Sequence, residues 1–139
     1  MERNFFEVRA EQLLERFKLR EEKHHLPPSF SKGMQQKLMI ILAFLIQPDL
    51  YIVDEPFVGL DPTATKVFLE LLSQERQRGA GILMSTHVLD TAEKICERFV
   101  LLNGGRIIAQ GNLAEIQKQC GLESSSLLEC FNHLVEILK

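Results

Sequence analysis

A parallel sheet flanked by helices, an α/β layer, is the fold class this sequence predicts. Three observations lead there. Leu50-Tyr51-Ile52-Val53 is an apolar run of β-formers without alternation, which suits a strand buried on both faces of a parallel sheet. Gly81 to Thr86 is a second run of that kind. Between them lies a stretch of helical periodicity with its own start and stop signals. Strand, helix and strand then follow one another as a short parallel crossover requires.

Ala10, Leu13, Leu14 and Phe17 recur at i, i+3, i+4 and i+7, so residues 7–18 read as an amphipathic helix. His24 to Pro28 reads as a loop, because Pro27-Pro28 cannot continue a helix. A helix is expected from about Ser31 to Ile46, with Met34, Leu38, Ile41, Leu42 and Leu45 on its buried side. Asp61 is a good N-cap and Pro62 suits the first helical position. Val67, Phe68, Leu71 and Leu72 give that helix its apolar stripe, and Gly79 stops it. After the second strand a helix is expected over about Leu89–Glu97. Arg98–Leu102 and Arg106–Gln110 then read as strands joined by Asn103-Gly104-Gly105, a strong hairpin signal. Asn112 can cap a further helix ended by Gly121. Ser126 and Glu129 have capping-box spacing for a last helix through Leu138. Two core strands and a hairpin leave sheet surface that calls for more polypeptide.

The chemistry starts at Asp54 and Glu55. In open α/β sheets ligands sit beyond the carboxyl ends of the strands, and the first strand runs straight into these two acids. Adjacent carboxylates with no basic residue beside them suit a hard, oxygen-seeking cation such as Mg²⁺. Ser31 and Gly33 stand at the start of a predicted helix, where N–H groups and the positive dipole end attract anions. A lone histidine is usually structural, but His87 directly follows an apolar strand, where a neutral imidazole can donate to a phosphate oxygen or orient a water. His24, His25 and His133 lack partners at ligand spacing.

Taken in order, Phe30-Ser31-Lys32-Gly33-Met34-Gln35-Gln36-Lys37, Leu50-Tyr51-Ile52-Val53-Asp54-Glu55, Val58-Gly59-Leu60-Asp61-Pro62 and Met84-Ser85-Thr86-His87 resemble the second half of an ABC-type ATPase domain. They match its signature sequence, Walker B strand, D-loop and switch histidine. The likeness covers roughly residues 28–112, and the signature stretch most resembles Ecs-type ATP-binding subunits of bacterial exporters. Lys32 and Met34 depart from the family's common Leu-Ser-Gly-Gly-Gln. A left-handed backbone at Lys32 would cost on the order of 1 kcal/mol. The family's phosphate-cradling Walker A loop is absent: none of the eight glycines is followed by lysine. The chain therefore reads as a truncated domain of an incomplete P-loop NTPase-type sheet. Residues 1–47 would be part of the helical subdomain, 48–111 the α/β core, and 112–139 C-terminal helices.

The resemblance implies cofactors and partners as well. ATP and Mg²⁺ would be the ligands, with Asp54 on the metal, Glu55 polarising the attacking water and His87 assisting. Ser31, Lys32, Gly33, Met34 and Asp61 would meet ATP bound on a second ABC ATPase domain, in a homo- or heterodimer. A transmembrane permease would be driven by hydrolysis, with the subunit cytoplasmic and peripheral at the inner face of the membrane. The alternatives are a non-transport ABC-type ATPase and a catalytically incomplete chain that lends its signature motif in trans.

Composition fits a piece of a soluble enzyme. With 139 residues the chain is one domain at most, and 45% hydrophobic residues can build a core. A net charge of -3 and no basic run speak against nucleic acid. The longest apolar run, Leu38–Ile46, is well short of the roughly 20 residues a membrane helix needs. No signal peptide is expected from the first residues. Cys96, Cys120 and Cys130 form no C-x-x-C and read as reduced, small core residues.

Overall fold

The two apolar runs do pair. In the computed structural model, which describes residues 3–139, β1 (Leu50–Asp54) lies parallel to β2 (Gly81–Ser85) with Leu50 opposite Gly81 and Asp54 opposite Ser85. The helix between them, α3 (Pro62–Arg78), starts on Asp61, whose carboxylate accepts from the Ala64 amide at 2.8 Å. It stops at Gly79, left-handed at φ 103°, as the sequence predicts. The chain contacts divide after Ser85 into two units, the second running from Thr86 to Lys139.

In the first unit, α1 (Arg3–Arg16) and α2 (Lys32–Leu45) join α3 on one face of the sheet. Phe44 and Phe68 are fully buried there. Phe44 stacks on Tyr51 at 4.8 Å between ring centroids and meets Phe68 edge-on at 6.0 Å. Helix α1 begins four residues earlier than predicted and ends two earlier. Its close is a Schellman turn, the Leu19 amide bonding the Leu14 carbonyl at 2.8 Å, with Lys18 left-handed at φ 57°. A lysine in the usual glycine position hid that stop. The predicted loop at 24–28 holds a short 3₁₀ turn at its end, Pro27–Ser29, after another at Arg20–Glu22.

Two expectations fail in this unit. Leu42 is exposed rather than buried, because α2 is apolar nearly all round and its inward stripe is Ile40, Ile41, Phe44 and Leu45. Strand β1 is covered on one face only. Tyr51 is buried in the core and Val53, on the same face, is half-buried, while Leu50 and Ile52 stand open at 55% and 72% exposure, joined across the ladder by Leu83.

Glu75 ties this unit together and was not singled out in the sequence. It is buried, and Arg78 reaches it at 2.7 Å and Arg9 at 3.4 Å. Arg9 also donates twice to the Phe44 carbonyl, at 2.8 and 3.0 Å, closing the end of α2. Burial by itself would raise the Glu75 carboxyl, but hydrogen bonds and charge from Arg78, with Tyr51 and Gln47 nearby, hold it below its ordinary 4.5. The Tyr51 hydroxyl beside it is pushed up to about 12, by burial first and then by that carboxylate. A depressed carboxyl stabilises the fold above the ordinary carboxylate range and loses that contribution as pH falls through its folded value. The melting midpoint is therefore expected to drop on acidification below about pH 4.5. Glu75→Gln should flatten that dependence and cost about 2 kcal/mol, since two partly buried arginine side chains lose their charged partner. Thermal melts across pH check both, and an unchanged acid limb in Glu75→Gln would remove Glu75 from this role.

The second unit contains α4 (Leu89–Ile95), the antiparallel hairpin β3 (Phe99–Asn103) and β4 (Arg106–Gly111), α5 (Leu113–Cys120) and α6 (Leu127–Ile137). Gly104 and Gly105 both take positive φ, 56° and 74°, as the tight hairpin turn requires. Asn112 with Glu115, and Ser126 with Glu129, form complete capping boxes. Ile116, Leu127, Cys120 and Cys130 fill the core of this unit and Cys96 packs against it, as small core thiols were expected to.

Candidate functional site

The β1–β2 register decides what meets at the carboxyl end of the sheet. Asp54 and Ser85 are opposite partners on the open face, and the Ser85 hydroxyl donates to Asp54 Oδ1. The same serine accepts from the backbone of the next residue. The Glu55 amide bonds the Ser85 carbonyl at 3.0 Å and its Oγ at 3.3 Å. Glu55 turns out of the strand with φ 44°, a left-handed conformation that costs a non-glycine residue roughly 1 kcal/mol or more. Strain of this kind persists where neighbours over-determine the backbone, and here the two Ser85 contacts do so. The sequence places Ser85 in a motif but gives it no task. Its signal was the parallel register, which is a long-range property.

A tight loop leads from Glu55 to Asp61. The Val58 amide bonds the Glu55 carbonyl at 3.3 Å and the Leu60 amide bonds that of Phe57 at 3.2 Å. Phe57 anchors it edge-on against Phe68 at 5.8 Å. Gly59 sits at φ 80°, where a glycine is needed. Asp61 closes the loop and is held below the usual carboxylate range, first by the Ala64 amide and then by Lys37, whose ammonium lies 3.0 Å away. Lys37 and Asp61 stand in the wall of a cleft of about 240 Å³, with Arg16, Lys18 and Thr63.

The start of α2 comes to the same place. Ser31 is its N-cap, accepting from the Met34 amide at 3.2 Å. A Cβ on Gly33 would lie 3.0 Å from the Gly59 carbonyl, so glycine permits the close approach of helix and loop. Lys32 is the first helical residue and exposed, so the left-handed penalty considered for it does not arise. Met34 is half-buried and packs against the core, not outward. The structure therefore gathers Ser31, Gly33 and Asp61 about one loop, and that loop begins at Glu55.

His87 lies in the exposed bend between Thr86 and Val88, within the second unit. The Thr86 hydroxyl accepts from the Val88 amide at 3.1 Å and shapes the bend. His25 bonds Glu22 on the surface, and among the described residues no three His, Cys, Asp or Glu side chains gather as a metal cage. No helix among the described residues is long and apolar enough to cross a membrane.

A family model described as "AAA domain, putative AbiEii toxin, Type IV TA system" matches residues 8–89. The chain is 56% identical to the uncharacterized ABC transporter ATP-binding protein YthP of Bacillus subtilis (strain 168), over 98% of its own length and 58% of that protein's. It is 43% identical to the ABC-type transporter ATP-binding protein EcsA of the same organism, over 94% of this chain and 53% of that one. A solved structure titled as the ATP binding subunit of an ABC transporter superposes with a TM-score of 0.93 at 47% identity. That match covers 97% of this chain and 56% of the other. The chain belongs to the family of ABC transporter ATP-binding proteins. The resemblance to ABC ATPases, Ecs-type subunits included, is confirmed. The chain spans rather more than half the length of these ABC relatives.

Proposed function

We propose that this chain is part of the ATP-binding, ATP-hydrolysing subunit of a bacterial ABC transporter. One observation carries the reading. A carboxylate, Asp54, is held by Ser85 at the carboxyl ends of two parallel strands, and a second acid, Glu55, follows it in a strained turn. That is where an open α/β sheet binds its ligand.

The donor set suits Mg²⁺ bound to a nucleotide. Such a metal takes one or two carboxylates and leaves its other positions to phosphate and water. Asp54 would hold it, with Ser85 orienting the carboxylate, and the bound metal would neutralise charge on the phosphates. Glu55 would accept or orient the proton of the attacking water. His87 would help orient that water or a phosphate oxygen.

The open sheet face supports the rest of the reading. Leu50, Ile52 and Leu83 form an apolar stripe that leads up to Asp54 and Ser85 on the same face. Polypeptide covering that stripe would arrive beside the carboxylate, where a phosphate-cradling loop is needed. Ser31, Lys32, Gly33 and Asp61 would then face ATP on a second ABC domain, with Met34 packed behind them against the core. The pair would drive a membrane permease from the cytoplasmic side. The names YthP and EcsA carry are those of transporter ATP-binding proteins, which agrees with that role.

Calorimetric titration with Mg-ATP tests the reading, after circular dichroism has shown the chain to be folded. The chain by itself should not bind. Adding a polypeptide with a phosphate loop that covers the open face should give Mg-dependent binding. Stoichiometric binding by the chain alone would mean that another segment replaces the phosphate loop.

A further inference from the structure

We propose that Gln36 and Lys37 are positioning residues that lock the 55–61 loop onto helix α2, so that the Ser31 turn and Asp61 meet a nucleotide as one body. The inference rests on the reading of this chain as part of an ATP-hydrolysing subunit. It concerns residues to which neither the family motifs nor the sequence pattern gave a task.

Three grips span one turn of α2. Gly33 lets the helix backbone close on the Gly59 carbonyl. Gln36 Nε2 donates to the Pro56 carbonyl at 3.2 Å, and Pro56 itself is buried. Lys37 Nζ lies 3.0 Å from Asp61 Oδ2, with only 15% of the lysine side chain exposed. They fall at i, i+3 and i+4, the spacing that lines one helix face. Together they hold the loop at its start, middle and end, while Phe57 pins it from the other side against Phe68.

An ordinary surface ion pair contributes little and orders little. This pair differs in its setting. Asp61 already spends one oxygen on the Ala64 amide, so its other oxygen fixes both the loop end and the first turn of α3 against α2. Glu55 heads the same loop, two residues before Phe57. A displacement of the Ser31 turn is thereby passed to the backbone that carries Glu55 and Asp61. Misplacement of about 1 Å at a reacting site can cost on the order of 10²-fold in rate.

The test uses Lys37→Met, Gln36→Met and the conservative Lys37→Arg. Amide hydrogen exchange on this chain should rise at Val58 and Leu60 in both Met variants. Exchange in β1 and the middle of α3 should hold steady, and Lys37→Arg should restore protection. In the ATP-hydrolysing protein assembled with this chain, kcat should fall about 10- to 100-fold in Lys37→Met. KM for ATP should stay within about twofold, and Lys37→Arg should recover the rate. Unchanged exchange at Val58 and Leu60 overturns the clamp, whatever happens to the rate. Faster loop exchange with an unchanged kcat overturns its part in the reaction. A wild-type assembly that hydrolyses no ATP defeats the functional reading instead, and the exchange measurement still decides the clamp. Should Lys37→Met not fold, Gln36→Met carries the same comparison.

Discussion

Glu55→Gln stops steady-state ATP hydrolysis in the completed protein while leaving ATP binding in place. The expected loss in kcat is about 10²–10⁴-fold, the usual contribution of a positioned proton acceptor. Two features make this substitution a clean probe. The Glu55 backbone is held at φ 44° through its amide by Ser85, so a side chain of the same size keeps the loop where it is. Asp54 and its Ser85 partner are untouched, so a metal–nucleotide site survives. Single-turnover hydrolysis and equilibrium ATP binding should be measured together. Normal turnover in the variant would sink the role given to Glu55. Loss of binding along with turnover would instead make it a ligand-holding residue.

Phe44→Ala should destabilise the chain by about 3–5 kcal/mol, a large share of the 5–15 kcal/mol a domain possesses. Phe44 is fully buried, stacked on Tyr51 and edge-on to Phe68, so its ring joins α2, β1 and α3. Its carbonyl also takes both Arg9 hydrogen bonds, so the end of α2 has little freedom to collapse into the cavity. Denaturant titration read by circular dichroism gives the number. Phe44→Leu should retain most of the stability. A loss below about 1 kcal/mol for the alanine would be too small for a ring at this core junction.

Much of the fold was legible because its signals are local. Asp61 and Gly79 bound α3, Asn112 and Gly121 bound α5, and Ser126 with Glu129 opens α6, each by bonding within its own turn. The hairpin followed from Asn103-Gly104-Gly105 alone. Misreadings arose where the signal was missing or ambiguous. Lys18 closes α1 where a glycine is usual. Leu42 looked buried because α2 carries apolar residues on every side, and periodicity cannot choose among faces of such a helix.

The candidate site divides in the same way. Asp54, Glu55, Ser31, Gly33, Asp61 and His87 were readable as residue types at the ends of elements. Ser85 under Asp54, Gln36 on the Pro56 carbonyl and Lys37 on Asp61 were not readable, because each joins residues 20 to 31 positions apart.

By itself the sequence determined where two strands run and where α3, α5 and α6 are capped. It also determined that two acids stand at the end of the first strand, since these follow from side-chain type and spacing along a few residues. Only the tertiary structure decided which face of the sheet stays open and which helix grips the 55–61 loop. It alone brought Ser85 to Asp54. Those outcomes depend on register and packing between distant segments, and neither pattern nor propensity within one segment carries that information.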